Sequence, residues 1–335
     1  MKYLLPVLLV SLFAFAGRPQ TLPVVDADTM VYDVIRSLGA PERADVMVRP
    51  VNGASAEVGE RLVVEGLRPK GGKQSAHFTC ISCHNIVKED PVLTDSDPIA
   101  RLAYAKENNL PFLPATTFWG AVNRETYYNG DYKKKYGDLV KDARRDLRGA
   151  IQLCATECAQ GAELNAVEME SVVAYLHTLG LKLSDLPDSS VPVDKINAAI
   201  DRGGDNSNLI ANLKEGYLLA SPATFVYPPE DRKAGFPISR ERDAANGQAI
   251  YQLACLHCHE ERKFSFFELG ESQFHYDFMT KHFTQYTRYS TYQVSRYGTS
   301  PIPGKRAYMP HYTKERMTDG QIEDLRAYLE SSATK

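Results

Sequence analysis

The sequence CISCH at residues 80–84 and the sequence CLHCH at residues 255–259 carry the strongest signal in this chain. Each is a C-x-x-C-H motif, in which two cysteines are separated by two residues and a histidine directly follows the second cysteine. Four of the six cysteines in the 335-residue chain lie in these two motifs. Because the same spacing occurs twice, the motifs indicate one kind of chemical site present in two copies.

The residue types of this motif predict covalent attachment of haem. The two thiols can add to the vinyl groups of haem, and the adjacent histidine then reaches the iron as its proximal ligand. The sequence therefore predicts two covalently attached haem c groups. The predicted attachment and proximal residues are Cys80, Cys83, His84, Cys255, Cys258 and His259.

Zinc binding, a thioredoxin-like redox pair and plain disulfides are the alternatives for these motifs. A zinc site usually combines two such pairs that are close in sequence, and these two lie 175 residues apart. A thioredoxin motif opens a helix within a βαβ unit, and the sequence indicates no such unit. Haem attachment is therefore the favoured interpretation.

Composition excludes several other classes of protein. Hydrophobic residues make up 43% and charged residues 24% of the chain, which is typical of a globular protein. These values exclude a largely disordered chain, a collagen-like chain and a polytopic membrane protein. The formal net charge of -3 gives no support for nucleic-acid binding.

The first residues predict export. An apolar run from Leu4 to Ala16 is too short to span a bilayer, and Ala14–Ala16 has the A-x-A pattern of a cleavage site. We therefore predict a secretory signal peptide at residues 1–16, with an uncleaved anchor as the alternative. No later segment has the length and hydrophobicity of a membrane span, so the mature protein is expected in the periplasm.

Two further segments have the pattern of amphipathic helices. Residues 165–179 and 318–330 each have an apolar stripe at helical spacing, and both contain Ala-Tyr-Leu. Asn165 and Thr318 are each followed three residues later by Glu or Gln, which is the pattern of a capping box. Shorter helices are expected at Gly59–Leu62 and Gly247–Tyr251.

This layout resembles the cytochrome c family, whose fold is a small helical domain wrapped around a haem. The resemblance implies an all-α protein with two cytochrome c-like domains joined by an extended linker. The predicted divisions are a signal peptide (1–16), an unassigned segment (17–56), domain 1 (57–180), a linker rich in Pro, Gly, Asp and Asn (181–240) and domain 2 (241–335).

The family resemblance also suggests the sixth iron ligand of the second domain. In this family that ligand usually lies just before the last helix, and a methionine followed by proline is the usual arrangement. Met309 occupies this place and is followed by Pro310. The alternative is that Met309 is a core residue and that His311, His275 or His282 is the ligand.

In the first domain two cysteines occupy the corresponding place. Cys154 and Cys158 extend a helical stripe formed by Leu139, Ala143, Leu147 and Ile151. Cys154 is predicted as an axial thiolate ligand. The alternatives are a disulfide between Cys154 and Cys158, Cys158 as the ligand, or cysteines packed beside a ligand such as His177.

A narrower resemblance follows from Cys154. The run from Tyr132 to Tyr175 is similar to the haem-thiolate subunit of the Sox sulfur-oxidising system and to the dihaem thiosulfate dehydrogenases. The Pro111–Gly120 segment also resembles the thiosulfate dehydrogenases. In these families a cysteine ligates one haem and nearby basic residues bind the sulfur anion. The resemblance assigns that role to Arg145 and Arg148; the alternative is an exposed helix face paired with nearby aspartates.

These ligands predict a direction for electron transfer. A Cys154 thiolate would lower the potential of the first haem, and a Met309 thioether would raise that of the second. We therefore expect transfer from the first haem to the second, and then to another exported cytochrome or a terminal oxidase. The alternative is an enzyme that oxidises thiosulfate or a similar sulfur anion, with Cys154, Arg145 and Arg148 as catalytic residues.

Overall fold

The computed structural model describes residues 24–187, 190–299 and 309–334. Within these ranges the fold is all-α, as predicted, and the only extended pairing is four isolated β-bridges. The α-helices are α1 (Val31–Ser37), α2 (Ala56–Glu65), α3 (Pro98–Asn108), α4 (Tyr132–Tyr136), α5 (Leu147–Leu153), α6 (Ala166–Thr178), α7 (Val193–Arg202), α8 (Ser207–Lys214), α9 (Ala244–Ile250), α10 (Leu256–His259), α11 (Gln273–Phe283), α12 (Thr291–Tyr297) and α13 (Asp319–Ser332). Two π-helical turns are Cys154–Cys158 and Tyr251–Cys255. The 3₁₀ turns are Cys80–Ser82, Ala121–Asn123, Gly137–Val140, Asp142–Arg145, Leu183–Asp185 and Glu260–Arg262.

The two long amphipathic helices form as predicted. Helix α6 begins at an Asn165 capping box and helix α13 begins at a Thr318 capping box. In each box the side chain of the first residue accepts a hydrogen bond from the backbone of the third helical residue, which satisfies an otherwise unpaired N–H. Both helices bury most of their length.

Each of these helices is crossed closely by a shorter one. Helix α2 crosses α6, and helix α9 crosses α13. A Cβ atom on Gly59 would overlap the carbonyl oxygen of Ser171, and one on Gly247 would overlap that of Asp324. Only glycine permits such an approach of two backbones. The two halves of the chain therefore contain the same helix crossing.

The predicted linker is partly helical. Helices α7 and α8 lie within residues 181–240, and they bury Ile196 and Leu213 in one cluster with Val31 and Val34 of α1. The sequence did not predict these two helices, because the Pro and Gly residues around them obscured their apolar stripes. The predicted domain boundaries remain a prediction. Buried or partly buried side chains on the two sides of each end of domain 1 pack together.

The two halves also share their packing. Leu102 of α3 and Phe112 belong to the apolar core of the second half. The backbone N–H of Phe112 donates to the carbonyl of Leu253 at 2.9 Å, and the Tyr312 hydroxyl donates to the carbonyl of Phe112 at 3.0 Å. A segment of the first half is thus an integral part of the second core.

A buried ion pair crosses the same boundary. Arg316 lies 2.7 Å from Glu89, and their side chains are only 5% and 2% exposed. Arg316 also donates to the carbonyl of Leu113. Beside it, Arg101 pairs with Asp90 at 2.7 Å. Because a buried charge is costly without its partner, this pairing fixes one relative position of the two halves.

The predicted signal peptide, residues 1–16, lies outside the described residues. Among the residues that are described, no helix combines the length and the apolar character that crossing a bilayer requires.

Candidate haem sites

The first motif lies on a tight turn that orients its histidine. Cys80–Ser82 is a 3₁₀ turn in which the Ser82 hydroxyl accepts from the N–H of Thr79 at 3.0 Å. The Nδ1 atom of His84 lies 2.6 Å from the carbonyl oxygen of Thr116. A carbonyl can only accept, so Nδ1 carries the proton and Nε2 keeps a free lone pair. Burial lowers the pKa of His84 to about 4, which keeps this ring neutral.

The second motif has the same histidine geometry. The π-helical turn Tyr251–Cys255 leads directly into α10, which contains the rest of the motif. The Nδ1 atom of His259 lies 2.8 Å from the carbonyl oxygen of Phe267. Burial lowers the pKa of His259 as well. Both histidines therefore offer a neutral Nε2 as a ligand.

These residues fit haem c. A histidine that binds iron through Nε2 usually donates its other N–H to a carbonyl or carboxylate, which fixes the tautomer and the orientation of the ring. His84 and His259 both meet this requirement. Burial raises the pKa of Cys80 to about 11 and that of Cys255 and Cys258 to about 12, so all three are present as thiols.

The two motifs are in direct contact, which the sequence did not predict. The Nε2 atom of His257 lies 3.2 Å from the carbonyl oxygen of Ile81. The Sγ atom of Cys258 lies 3.6 Å from the carbonyl oxygen of Ser82. The middle residues of one motif therefore contact the other motif, although the motifs lie far apart in sequence.

Cys154 and Cys158 lie beside the first motif. Both are half-buried, neither forms a disulfide, and they lie at the two ends of one π-helical turn. A hydrogen bond between their side chains and burial hold the pKa of Cys154 well above its usual range. Cys154 is also close enough to Cys80 and Cys83 to interact with them electrostatically. The structure thus places Cys154 near the first motif; its predicted role as an iron ligand stays a prediction.

The structure contradicts the anion-binding role predicted for Arg148. Its guanidinium donates twice to the Glu170 carboxylate, at 2.7 Å in each case, and three further hydrogen bonds go to the carbonyls of residues 44, 45 and 47. The residue is only 8% exposed, so it is not part of an exposed helix face either. The ion pair of Arg148 with Glu170 therefore links α5 to α6. Arg145, by contrast, is exposed.

The backbone of Met309 is fixed by Thr299. Its N–H donates to the Thr299 hydroxyl at 2.7 Å, and its carbonyl accepts from the Thr299 N–H at 2.9 Å. Met309 is half-buried. These bonds hold the methionine just before α13, where the sequence predicts a distal ligand, and its ligand role stays a prediction.

The alternative histidine ligands have different environments. His275, His282 and His177 each have a hydrogen-bonded ring nitrogen, to Ser272, Phe278 and Val46 respectively. His311 is 5% exposed, and its Nε2 atom has no hydrogen-bond partner among the described residues.

Three tyrosines near Cys154 and Cys158 were not predicted from the sequence as residues of this site. Tyr128, Tyr132 and Tyr136 recur at every fourth residue, and all three interact electrostatically with Cys158. Tyr132 packs edge-on against Tyr128, with ring centroids 5.3 Å apart. Their spacing could have indicated an aromatic helix face, but aromatic residues are too common in cores to mark a site.

Comparison with known proteins gives one family match, in the second half of the chain. Residues 242–329 match the sequence model of the family described as cytochrome c oxidase, cbb3-type, subunit III. This range contains the second motif, the crossing of α9 with α13, and Met309. The match supports a cytochrome c domain in this range, and such a domain implies covalently bound haem c and a role in electron transfer. Searches of curated proteins and of solved structures give no match.

Proposed function

We propose that this chain is an exported dihaem cytochrome c that transfers electrons from a low-potential first haem to a second haem with His259 and Met309 as ligands. Haem c, when bound, supplies a one-electron iron couple at each motif. The observation that carries the proposal is the contact of His257 with Ile81, at 3.2 Å, between the two motifs. This contact supports the proposal, because electron transfer between two haems requires that their attachment sites lie close together.

The repeated architecture supports a second haem in the first half. The half that lies outside the matched range has a C-x-x-C-H motif, a crossing at Gly59 and a capping box at Asn165. The matched half has the equivalent crossing at Gly247 and capping box at Thr318. The Nδ1–H of the motif histidine is bound to a carbonyl in both halves.

The direction of transfer rests on the distal side chains. A thiolate from Cys154 would bring negative charge to the first iron and stabilise its ferric state, whereas the thioether of Met309 favours ferrous iron. Cys154 would ionise on binding the first iron, since a bound metal supplies the positive charge that deprotonates a coordinating thiol. Electrons would leave the second haem to another exported cytochrome or a terminal oxidase.

The test combines a haem count with a redox titration. The intact mass of the mature protein should correspond to two attached haems, and Cys80→Ala/Cys83→Ala and Cys255→Ala/Cys258→Ala variants should each retain one. Cys154→Met should raise the lower midpoint potential, while the higher potential serves as an internal control. One haem in the wild type would reject the dihaem proposal, and an unchanged lower potential would reject its direction.

A thiosulfate dehydrogenase is the second candidate, favoured by the position of Cys154 close to Cys80 and Cys83. Because Arg148 is bound to Glu170, Arg145 is the remaining predicted anion ligand. Thiosulfate should then reduce the haems of the oxidised protein, and Arg145→Ala should raise the KM for thiosulfate. Absence of thiosulfate-dependent reduction in the wild type would remove this candidate.

A further inference from the structure

The pair Cys154 and Cys158 is a candidate for chemistry of its own. The four other cysteines belong to the two motifs, and neither member of this pair is needed to attach haem. Neither forms a disulfide, and their side chains hydrogen-bond to each other. Two thiols in such contact are the reduced form of a dithiol/disulfide couple.

The π-helical turn makes an S–S bond between these residues geometrically accessible. In a regular α-helix, residues four apart are separated by about 6 Å along the axis, near the upper end of the roughly 4.4–6.8 Å Cα separation of disulfides. The wider π turn, closed by the Ala159 N–H donating to the Cys154 carbonyl at 2.9 Å, has a smaller rise for each residue. The hydrogen bond between the two side chains shows that the thiols are already in contact across this turn.

The turn is anchored to the segment that leads into the first motif. The side-chain amide of Gln74 donates to the carbonyl of Ala155 at 3.1 Å, and the Ser75 hydroxyl donates to the carbonyl of Ala159 at 2.6 Å. The N–H of Ala162 donates to the carbonyl of Gln74 at 2.9 Å. These bonds hold both ends of the turn, so the cysteine pair has a fixed place beside the first haem site.

We propose that Cys154 and Cys158 are a two-electron redox site that exchanges electrons with the two haems. In the ferric protein Cys154 would be the thiolate ligand of the first iron and Cys158 would be a thiol. On oxidation of the pair, the iron–sulfur bond of Cys154 and the S–H bond of Cys158 would break and one S–S bond would form. One proton would leave to solvent, and one electron would reduce each of two ferric haems to the ferrous state, so atoms and electrons balance. The reverse reaction restores the reduced pair. This inference rests on the proposed function, because the two haems are the electron acceptors.

The test is an oxidative titration of the haem-loaded protein without oxygen. The protein is fully reduced with dithionite, freed of reductant and titrated with ferricyanide while the haem spectrum is followed. The wild type should consume four oxidising equivalents, two for the haems and two for the thiols. Cys158→Ser and Cys154→Ser, which each remove one sulfur, should consume two.

Alkylation gives a second readout that does not depend on haem activity. After denaturation, reduced wild-type protein should take up two alkyl groups, and the oxidised protein none. The proposal is overturned if both thiols remain alkylatable after the haems are fully oxidised. It is also overturned if neither thiol is alkylatable before oxidation, because the pair is then a permanent disulfide. A failure of the dihaem proposal is distinguishable, because it appears as a missing haem in the intact mass.

Discussion

At the scale of single residues, Gly247 has one of the strictest steric requirements in the molecule. Any Cβ at this position would overlap the backbone of Asp324, which belongs to a long helix and cannot rotate away. We expect Gly247→Ala to force α9 and α13 apart and to lower the free energy of unfolding by about 1–3 kcal/mol or more. Urea unfolding followed by circular dichroism measures this change.

Gly320→Ala is the matched control for this prediction. Gly320 is also helical, and the nearest atom to an added Cβ, at 2.9 Å, is the end of the flexible Arg240 side chain. Alanine is favoured over glycine in a helix by about 1 kcal/mol, so this variant should be neutral or more stable. Equal unfolding midpoints for the two variants would contradict the steric argument.

Single residues were predicted best where a short motif fixes the chemistry. His84 and His259 were predicted as ligands, and each has the tautomer that a ligand needs. The role predicted for Arg148 was wrong because its partner, Glu170, lies on another helix and no local pattern indicates it. A charged residue in a sequence does not reveal whether it is exposed or paired in the core.

At the scale of elements, the Arg148–Glu170 pair determines how α5 packs on α6. Both side chains are nearly buried, and the two charges lie 2.7 Å apart. Replacing one partner leaves the other charge buried without compensation, so Arg148→Met should lower the free energy of unfolding by about 3–5 kcal/mol. Chemical denaturation of the purified variant measures the loss.

Arg145→Ala provides the comparison at an exposed position on the preceding turn. Its effect on stability should lie within about 0.5 kcal/mol, as is usual for surface substitutions. A result in which Arg148→Met is as stable as the wild type would show that the pair contributes nothing to the packing of α5.

Helices could be predicted where a capping box is followed by an apolar stripe at helical spacing, as in α6 and α13. The stripe from Leu139 to Ile151 looked like one helix, but the structure interrupts it with two 3₁₀ turns, and Leu139 is 52% exposed. The break has a local cause: the Asp146 side chain accepts from the N–H of Arg148 at 3.0 Å and starts a new helix there. Asp146 is one of the nearby aspartates that the sequence suggested only as charge partners of the arginines, so its capping role was overlooked.

At the scale of the whole molecule, the ion pair of Glu89 with Arg316 makes the stability of the packing between the two halves depend on pH. Burial opposes ionisation of Glu89, but the charge and hydrogen bonds of Arg316 outweigh it, and the pKa falls to about 2. Arg101 acts in the same direction, and Asp90 is the neighbouring acid. A carboxylate with a lowered pKa stabilises the fold above its unfolded pKa of about 4.3, and this contribution is lost as the pH falls towards 2.

We therefore expect Glu89→Gln to cost about 3–5 kcal/mol of stability at neutral pH. The difference from the wild type should shrink as the pH falls from about 4.3 towards 2, because wild-type Glu89 then becomes neutral as well. Urea midpoints measured across this pH range provide the test. Glu42→Gln, which affects a half-exposed pair with Arg36, should change stability by less than about 1 kcal/mol at any pH. A pH-independent difference for Glu89→Gln would contradict the linkage.

The arrangement of the two halves could not be predicted from the sequence. Contact between the motifs depends on Glu89 meeting Arg316 and on Phe112 entering the second core, and these partners are far apart in the chain. Apolar periodicity and capping patterns depend on residues within a few helical turns of one another. They therefore indicated the two halves of the chain but not how the halves pack against each other.

Two hydrogen bonds between Val25 and Asn197 have a consequence for the order in which parts of the chain fold. The side-chain amide of Asn197 donates to the carbonyl of Val25 and accepts from its N–H, each at 2.9 Å, across 172 residues. The backbone is thus closed into a ring that contains the first motif and the cysteine pair. Closing a ring of this size is slow compared with forming a helix, so the chain stays open around its first motif until its later part arrives. The interval before closure is when the proposed first haem would reach Cys80 and Cys83 from outside.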